Sequence, residues 1–188
     1  MSIKYVLLGF LAWKPLTGYE LKKMITASPI LYWSGSNNQI YQTLVKLHKE
    51  GLVTRQVEHQ DDNPPRKIYA ITAQGQTMLT EWVAETPPLP DLKHPLLIQL
   101  MWSESLADAE LQAMLVDYEA GLQVEVLMLR ERQTRGEFAP DRSALEAYLW
   151  SAVRANWLAF YESQLAWVQE LQRELAVKGH TNERVHDL

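Results

Sequence analysis

The 188-residue sequence contains no cysteine. This absence excludes a disulfide framework, a thiolate metal site and a cysteine nucleophile, and it leaves the redox compartment undecided. No apolar run reaches the roughly 18 residues that a membrane-spanning helix needs. The apolar opening from Tyr5 to Trp13 is interrupted by Lys14-Pro15, and a charged segment follows where a signal-peptide cleavage site would lie. We therefore expect a cytoplasmic protein with no membrane partner.

The sequence also lacks the motifs of common enzyme classes. Its five histidines include no i, i+4 pair of the kind that binds zinc on a helix. There is no Gly-x-Ser-x-Gly elbow, phosphate-binding glycine loop or dinucleotide fingerprint. Glu58, His59, Asp61 and Asp62 do cluster, but a solvated loop tip explains them better than a metal site. We predict that the protein is not an enzyme and uses no cofactor or metal.

Charge is distributed unevenly along the chain, whose net charge is −5. Residues 1–85 hold nine lysines and arginines and seven acidic residues, whereas residues 86–188 hold nine and sixteen. Such asymmetry suggests that the two halves have different roles, although the slight positive balance of the first half is a weak signal for nucleic acid.

The composition breaks at Thr86-Pro87-Pro88-Leu89-Pro90, which cannot continue a helix. The break predicts an N-terminal domain over 1–85, a linker over 86–95, a helical domain over 96–178 and a flexible tail over 179–188.

Before the break, the pattern predicts three helices. The first ends at Lys14-Pro15, and the second begins at Thr17-Gly18-Tyr19-Glu20, a Thr-x-x-Glu capping box. The third starts near residues 34–38 and runs to Glu50, with Gly51 placed as a left-handed cap.

The pattern then changes from helical to alternating. Leu52 to Val57 and Lys67 to Ile71 are typical of two strands, and His59 to Arg66 is predicted to be an exposed loop between them. Thr72 can cap a fourth helix. The fold class is therefore mainly α with a small β-hairpin wing, a winged helix-turn-helix followed by a helical dimerisation domain.

The third predicted helix and the wing carry side chains suited to DNA. Amide side chains can bond bidentately to adenine in the major groove, serine can donate or accept there, and cations suit phosphate. The candidates on these grounds are Ser36, Asn37, Asn38, Gln39, Gln42, Lys46, Arg66 and Lys67. Solvent exposure alone also gives a polar helix face, and Asp61-Asp62 at the wing tip should repel phosphate.

Four segments occur in an order and spacing that resemble the PadR family of transcription regulators across roughly residues 3–85. They are Gly18-Tyr19-Glu20-Leu21, Gln39-Ile40-Tyr41-x-x-Leu44-x-x-Leu47-x-x-x-Gly51-Leu52-Val53, Arg66-Lys67-x-Tyr69-x-Ile71-Thr72-x-x-Gly75 and Leu79-x-x-Trp82. The long C-terminal half resembles the larger branch of that family, which includes the phenolic-acid repressor and the virulence-activator type.

The resemblance implies a homodimer held by C-terminal helices, with two winged domains on a palindromic double-stranded DNA operator and repression as the expected outcome. It places the DNA-contacting region on Tyr19, Ser36 to Gln39, Tyr41, Gln42 and the wing at Arg66-Lys67. The acidic wing tip departs from the family pattern, which puts the wing contacts in doubt more than those of the helix.

After the proline-rich break the chain is predicted to be helical. Ser105-x-x-Asp108 is expected to open one long helix, and a last helix should run from about Asp141 to Val177. The last helix is apolar on more than one face, which independently favours packing against a second chain.

Two interpretations of its aromatic residues stay open. Trp150, Arg154, Trp157, Tyr161 and Gln164 can line a pocket for a small aromatic effector, or they can simply fill the core and the interface.

Two alternatives to an effector-controlled repressor also stay open. A winged domain can serve protein contacts instead of DNA, or the protein can activate transcription without a small-molecule effector. Salt-dependent DNA affinity would distinguish a DNA binder from an interaction module.

Overall fold

The computed structural model describes residues 3–28, 37–60, 63–90, 94–135 and 143–186. The chain divides into two compact units, an N-terminal unit, Met1–Leu89, and a C-terminal unit, Pro90–Leu188. No helix within these described ranges is both long and apolar enough to cross a bilayer.

The described residues of the N-terminal unit form four helices and three strands. Their order is α1 (Ile3–Trp13), β1 (Leu16–Thr17), α2 (Gly18–Ala27), α3 (Asn37–Lys49), β2 (Val53–Gln60), β3 (Asn63–Ile71) and α4 (Ala73–Ala84). The antiparallel sheet has the order β1-β3-β2, with Leu16 opposite Tyr69. This confirms the winged-helix prediction, with β1 as an addition. Two residues are too few for alternation to be visible in the sequence.

The predicted helix ends are confirmed by their hydrogen bonds. The backbone N–H of Glu20 donates to Thr17 Oγ1 (3.2 Å), and the backbone N–H of Thr17 donates to Glu20 Oε2 (2.7 Å), which completes the capping box. The backbone N–H of Gly75 donates to Thr72 Oγ1 (3.1 Å), and that hydroxyl donates to the carbonyl of Gly51 (2.7 Å). Gly51 has a φ of 73°, as a left-handed cap requires.

One apolar core joins the helices of this unit to its sheet. The stripes of α1, α2 and α3 bury their aliphatic side chains together with the first residues of β2 and with Tyr69 of β3. On α3 the buried residues are Ile40, Leu44 and Leu47. Because they follow helical spacing, the opposite side of α3 must face outward.

The predicted wing loop over His59 to Arg66 is wrong. Strand β2 continues to Gln60 and β3 already begins at Asn63, so Arg66 and Lys67 lie inside a strand and not where a loop meets one.

Pro64-Pro65 suggested a loop in the sequence, but both prolines lie within β3. The register passes from Glu58 opposite Arg66 to Gln60 opposite Asn63, so β3 carries one extra residue there, as in a β-bulge. The short β1 does not reach this part of β3. Prolines are tolerated at bulges and where a strand has only one neighbour.

The C-terminal unit contains α5 (Pro95–Met101), a short 3₁₀ turn (Ser103–Ser105), α6 (Asp108–Arg135) and α7 (Ala144–His186). The long helix predicted to open at Ser105-x-x-Asp108 begins at Asp108, but the Ser105 hydroxyl does not cap it, because it donates to the carbonyl of Trp102 (3.4 Å). The N-terminal turn of α6 is closed instead by the Ala107 N–H, which donates to Glu110 Oε2 (2.9 Å).

The last helix is also longer than predicted. α7 continues past Val177 to His186, into the segment that the sequence assigned to a flexible tail. The apolar pattern does fade after Val177, but helix propagation depends on backbone hydrogen bonds and not on an apolar stripe. No proline interrupts this stretch.

Helices α6 and α7 pack against each other and run antiparallel. Leu115 and Leu122 of α6 and Val168 of α7 are buried together with Leu96 of α5. Polar contacts flank this core. Glu119 accepts hydrogen bonds from the side-chain amides of Gln169 and Gln172, both at 2.8 Å. Arg130 pairs with Glu162 at 2.6 Å.

Candidate nucleic-acid interface

The outward side of α3 presents a continuous polar stripe. Asn38, Gln42 and Lys46 are exposed and follow each other at four-residue steps, as do Tyr41 and Val45 beside them. The structure therefore brings together four of the residues that the sequence predicted to contact DNA.

The other predicted residues at the start of α3 differ in position. Gln39 is half-buried, and its carbonyl accepts a hydrogen bond from Thr43 Oγ1 (2.7 Å). Asn37 is the first residue of α3, and Ser36 lies outside the described residues.

Lys46 remains available to an anion. Its Nζ lies 3.9 Å from Glu50 Oε1, and its side chain is 75% exposed. An exposed pair with this separation contributes little, about 0–1 kcal/mol, so it does not hold Lys46 away from a phosphate.

The start of α2 adjoins this stripe. Tyr19 is 69% exposed, next to a glycine that contacts the ring of Tyr41. A Cβ atom at Gly18 would lie 2.5 Å from Tyr41 Cε1. Tyr19 and Tyr41, which the sequence placed in the interface, therefore belong to neighbouring parts of one surface.

The carboxylate of Glu20 lies in the capping box at the same place. The hydrogen bond from the Thr17 backbone, and then that from its hydroxyl, lower the pKa of Glu20, with smaller contributions from the charges of Lys14 and Arg66. Glu20 is thus ionised at neutral pH, and the influence of Arg66 brings a wing cation into the electrostatic environment of α2.

Arg66 and Lys67 do not form a single clamp, contrary to what their adjacency suggests. Lys67 is opposite Val57 and Arg66 is opposite Glu58, and side chains alternate along a strand. Both are exposed, but they point to opposite faces of the sheet. The predicted wing tip, Asp61-Asp62, lies outside the described residues.

Arg55 is an exposed cation that the sequence analysis did not single out. It lies opposite Tyr69, on the same sheet face as Lys67. Burial raises the pKa of the Tyr69 phenol, the charge of Arg55 opposes this rise, and Tyr41 adds to it. Tyr69, at the base of the wing, therefore lies near both Arg55 of β2 and Tyr41 of α3. The strand pattern in the sequence places Arg55 on one face with Val53 and Val57, so it predicts a strand at this position but gives no signal for an exposed cation.

The five predicted effector residues lie along one side of α7. Trp150, Arg154, Trp157, Tyr161 and Gln164 follow steps of four and three residues that continue to the buried Val168, and all five are half-buried. The rings of Trp157 and Tyr161 meet edge to face with centroids 5.9 Å apart. These residues therefore lie on the side of α7 that faces the α6–α7 core.

This side contains donors without acceptors. Among the described residues, no partner satisfies Arg154 Nη1 or Trp157 Nε1, although both atoms are buried. The same holds for Nδ1 of His94, whose Nε2 lies 3.2 Å from the Tyr118 hydroxyl. Burial raises the pKa of the Tyr118 and Tyr161 phenols, which stay neutral at physiological pH. Buried donors of this kind are costly unless something accepts from them.

The N-terminal half of the chain, which forms the winged domain, is similar in sequence to known proteins. Residues 7–81 match the model of the transcriptional regulator PadR-like family. Over 89 residues the chain is 32% identical to the negative transcriptional regulator PadR of Bacillus subtilis, a match that covers 47% of this chain and 49% of that protein. The chain thus matches about half the length of this curated relative.

Solved structures match nearly the whole chain. The structure of Bacillus subtilis PadR in complex with operator DNA has a TM-score of 0.81 at 22% identity and covers 92% of this chain and 98% of that one. The same protein in complex with p-coumaric acid gives 0.74 at 21% identity, covering 93% and 95%. These two similarities concern the fold.

The virulence activator AphA of Vibrio cholerae has a TM-score of 0.73 at 25% identity and covers 94% of this chain and 99% of that one. In sequence, the similarity to the transcriptional regulator PadR-like family thus covers residues 7–81, the winged domain of this chain.

Proposed function

We propose that the protein is a sequence-specific repressor that binds a palindromic DNA operator as a homodimer and is released by a small aromatic effector. The observation that carries this proposal is the exposed polar stripe of α3 beside the start of α2. A helix of this kind fits the major groove with its side chains against base edges.

The residues divide between base contact and phosphate contact. Asn38 and Gln42 are exposed amides one turn apart, suited to bidentate bonds with adenine. Lys46, Arg66 and Lys67 are exposed cations suited to the backbone, where each displaces counterions and adds to the salt dependence of binding.

A second apolar stripe of α7 supports the dimer. Leu145, Leu149, Val153, Phe160 and Trp167 are exposed and recur at steps of four or seven residues, so they lie along one side of the helix. That side differs from the one that faces α6. A second copy would cover it, and the two-fold symmetry of such a dimer matches a palindromic operator.

Repression is supported by the Bacillus subtilis relative, which is a negative regulator. The alternative, activation, is supported by the likeness to AphA. A reporter gene placed behind the operator separates them, because deletion of a repressor raises expression and deletion of an activator lowers it.

The effector proposal rests on the unpartnered donors of α7. A carboxylate can accept from both Arg154 Nη1 and Trp157 Nε1, and the neighbouring rings can cover an aromatic group. An aromatic acid therefore matches this site, and p-coumaric acid is bound by the Bacillus subtilis relative. To release DNA, it must bind the DNA-free form more tightly than the DNA-bound form.

The first test is selection of duplexes from a random-sequence library by the purified chain, followed by titration of the enriched duplex at two salt concentrations. We expect a palindromic sequence and a steep loss of affinity with salt. No enriched sequence would contradict the proposal and favour a winged domain that serves protein contacts.

The paired substitution Asn38→Ala, Gln42→Ala tests the assignment of the base-contacting residues. Two good base contacts are worth about 2–6 kcal/mol, so the enriched duplex should be bound at least about 30-fold more weakly. The control is Gln76→Ala, which removes an exposed amide from α4 and should leave affinity unchanged.

The effector is tested with p-coumaric acid and calorimetry. The wild type should bind it, and the acid should release the enriched duplex, whereas Arg154→Met and Trp157→Phe should each weaken binding of the acid. Absence of binding would leave the aromatic residues as core and interface packing.

A further inference from the structure

Gly18 is the place where α2 meets α3. A Cβ atom there would lie 2.5 Å from Tyr41 Cε1 and 3.1 Å from Tyr41 Cδ1, whereas Leu44 Cδ1 at 3.5 Å would be an ordinary contact. The ring of Tyr41 therefore occupies the space that any other residue at position 18 would need.

Backbone conformation does not explain this glycine. Among the described residues the glycine with positive φ is Gly51, and Gly18 adopts the helical start that other residues adopt readily. On helix propensity alone, alanine would be the better residue at this position. What Gly18 provides is space for one aromatic ring.

The ring of Tyr41 belongs to the exposed side of α3 that is proposed to contact DNA. Tyr41 is 43% exposed and lies next to Gln42, one turn from the exposed Asn38. One edge of the ring lies against the start of α2.

We infer that Gly18 is a positioning residue for DNA recognition, which holds the Tyr41 ring against α2 so that Tyr41 and the neighbouring amides present one fixed surface to the operator. The inference rests on the proposed function, because the surface has to contact DNA.

The consequence of adding a methyl group at position 18 follows from the exposure of Tyr41. Side chains move between discrete rotamers, and a half-exposed ring can swing into solvent without disturbing the core. Gly18→Ala should therefore fold normally, but the Tyr41 ring should adopt another rotamer and leave its position against α2. A purely structural role for Gly18 would instead lower stability and leave the affinity of the folded protein unchanged.

The experiment measures binding of the full chain to the enriched duplex and to a scrambled duplex of equal composition, with thermal unfolding in parallel. We expect Gly18→Ala to bind the enriched duplex about tenfold more weakly, which corresponds to one good base contact, with little change on the scrambled duplex. The matched control is Gly9→Ala, because no atom lies within 4 Å of a Cβ placed there.

Tyr41→Ala and the double variant Gly18→Ala, Tyr41→Ala complete the cycle. Tyr41→Ala removes the ring that obstructs position 18, so the double variant should bind no more weakly than Tyr41→Ala alone and should fold even if Gly18→Ala does not.

The inference is overturned if Gly18→Ala binds the enriched duplex like the wild type. It is equally overturned if Gly18→Ala costs as much in the Tyr41→Ala background, or if Tyr41→Ala retains full affinity. In each case the proposed function stands. If the wild type prefers no duplex, the proposed function fails, and the inference fails with it.

Discussion

At Gly75, an added Cβ atom would overlap the carbonyl oxygen of Leu52 and would lie 2.9 Å from Ile71 Cγ1. This glycine lets the first turn of α4 pack directly on the backbone of Leu52, the residue before β2, next to the Thr72 cap. Unlike the ring beside Gly18, a backbone carbonyl cannot swing away. The same absence of a side chain thus has a structural use at one position and a proposed functional use at the other.

We predict that Gly75→Ala lowers the free energy of unfolding by about 2 kcal/mol or more, the cost of overpacking against atoms that cannot move. Urea unfolding at pH 7 measures it. Gly9→Ala, in the open space beside α1, should instead be neutral or stabilise the protein by up to about 1 kcal/mol. Equal stability of the two variants would contradict this account of Gly75.

At the scale of the element, the start of α2 is stabilised by a capping box that contains an ionised carboxylate. Thr17 and Glu20 satisfy each other's backbone amides, and Tyr19 is displayed between them. Replacing the cap by Thr17→Ala should cost about 1 kcal/mol, as for other N-caps.

The stability that Glu20 contributes should depend on pH. Its pKa is lowered in the folded chain, mainly by the Thr17 backbone, so its contribution is present above the ordinary value of 4.5 and is lost as pH falls through the lowered pKa. Wild type should therefore exceed Glu20→Gln in free energy of unfolding at pH 7, and the difference should vanish in acid. Glu81→Gln, on the exposed side of α4, provides the matched control. A difference that persists unchanged at pH 3 would exclude the carboxylate as its source.

Helices α6 and α7 are joined by a second carboxylate. Hydrogen bonds from Gln169, then Gln172, and more weakly Gln123, hold the pKa of Glu119 below its ordinary value. The acceptor lies on α6, whereas Gln169 and Gln172 donate from α7, so the group fixes the register of the two helices.

We predict that Glu119→Ala destabilises the C-terminal unit at neutral pH and that its deficit relative to wild type shrinks as pH falls through the lowered pKa of Glu119. Hydrogen exchange at α6 and α7 measures the change within this unit. Arg130→Ala breaks the exposed pair with Glu162 and should cost no more than about 1 kcal/mol. If the two variants behave alike, the glutamine contacts have no special role.

At the scale of the whole molecule, α7 has two apolar sides, of which one is covered and one is exposed. One side faces α6, and the other carries the exposed stripe that includes Leu149 and Phe160. Because exposed apolar stripes of this length are unusual for a monomer, the second side is where a second copy should pack.

We predict that the wild type has about twice the 21.7 kDa mass of the chain in solution and that Leu149→Arg shifts it toward the monomer. Light scattering at several protein concentrations measures this. Ser151→Arg places the same charge on another side of the helix and should leave the mass unchanged. A wild type that remains monomeric at all concentrations would exclude this interface.

The sequence by itself determined the features that depend on neighbours within a few residues. The Thr17–Glu20 capping box, the Gly51 and Thr72 caps and the outward stripe of α3 were all predictable, because hydrogen bonds and helical periodicity act over three or four positions. The order of these elements was enough to predict the winged fold.

Tertiary structure decided the features that depend on pairing across the chain. Strand β1 exists through its pairing with residues about 50 positions away, and the start of β3 at Asn63 places Arg66 and Lys67 inside a strand, where adjacent side chains point to opposite faces. The contact of Tyr41 with Gly18 forms only when α3 packs against α2. The donors of α7 lack partners only because packing buries them. Periodicity shows which face of an element is apolar, but only packing decides which residue of another element meets it.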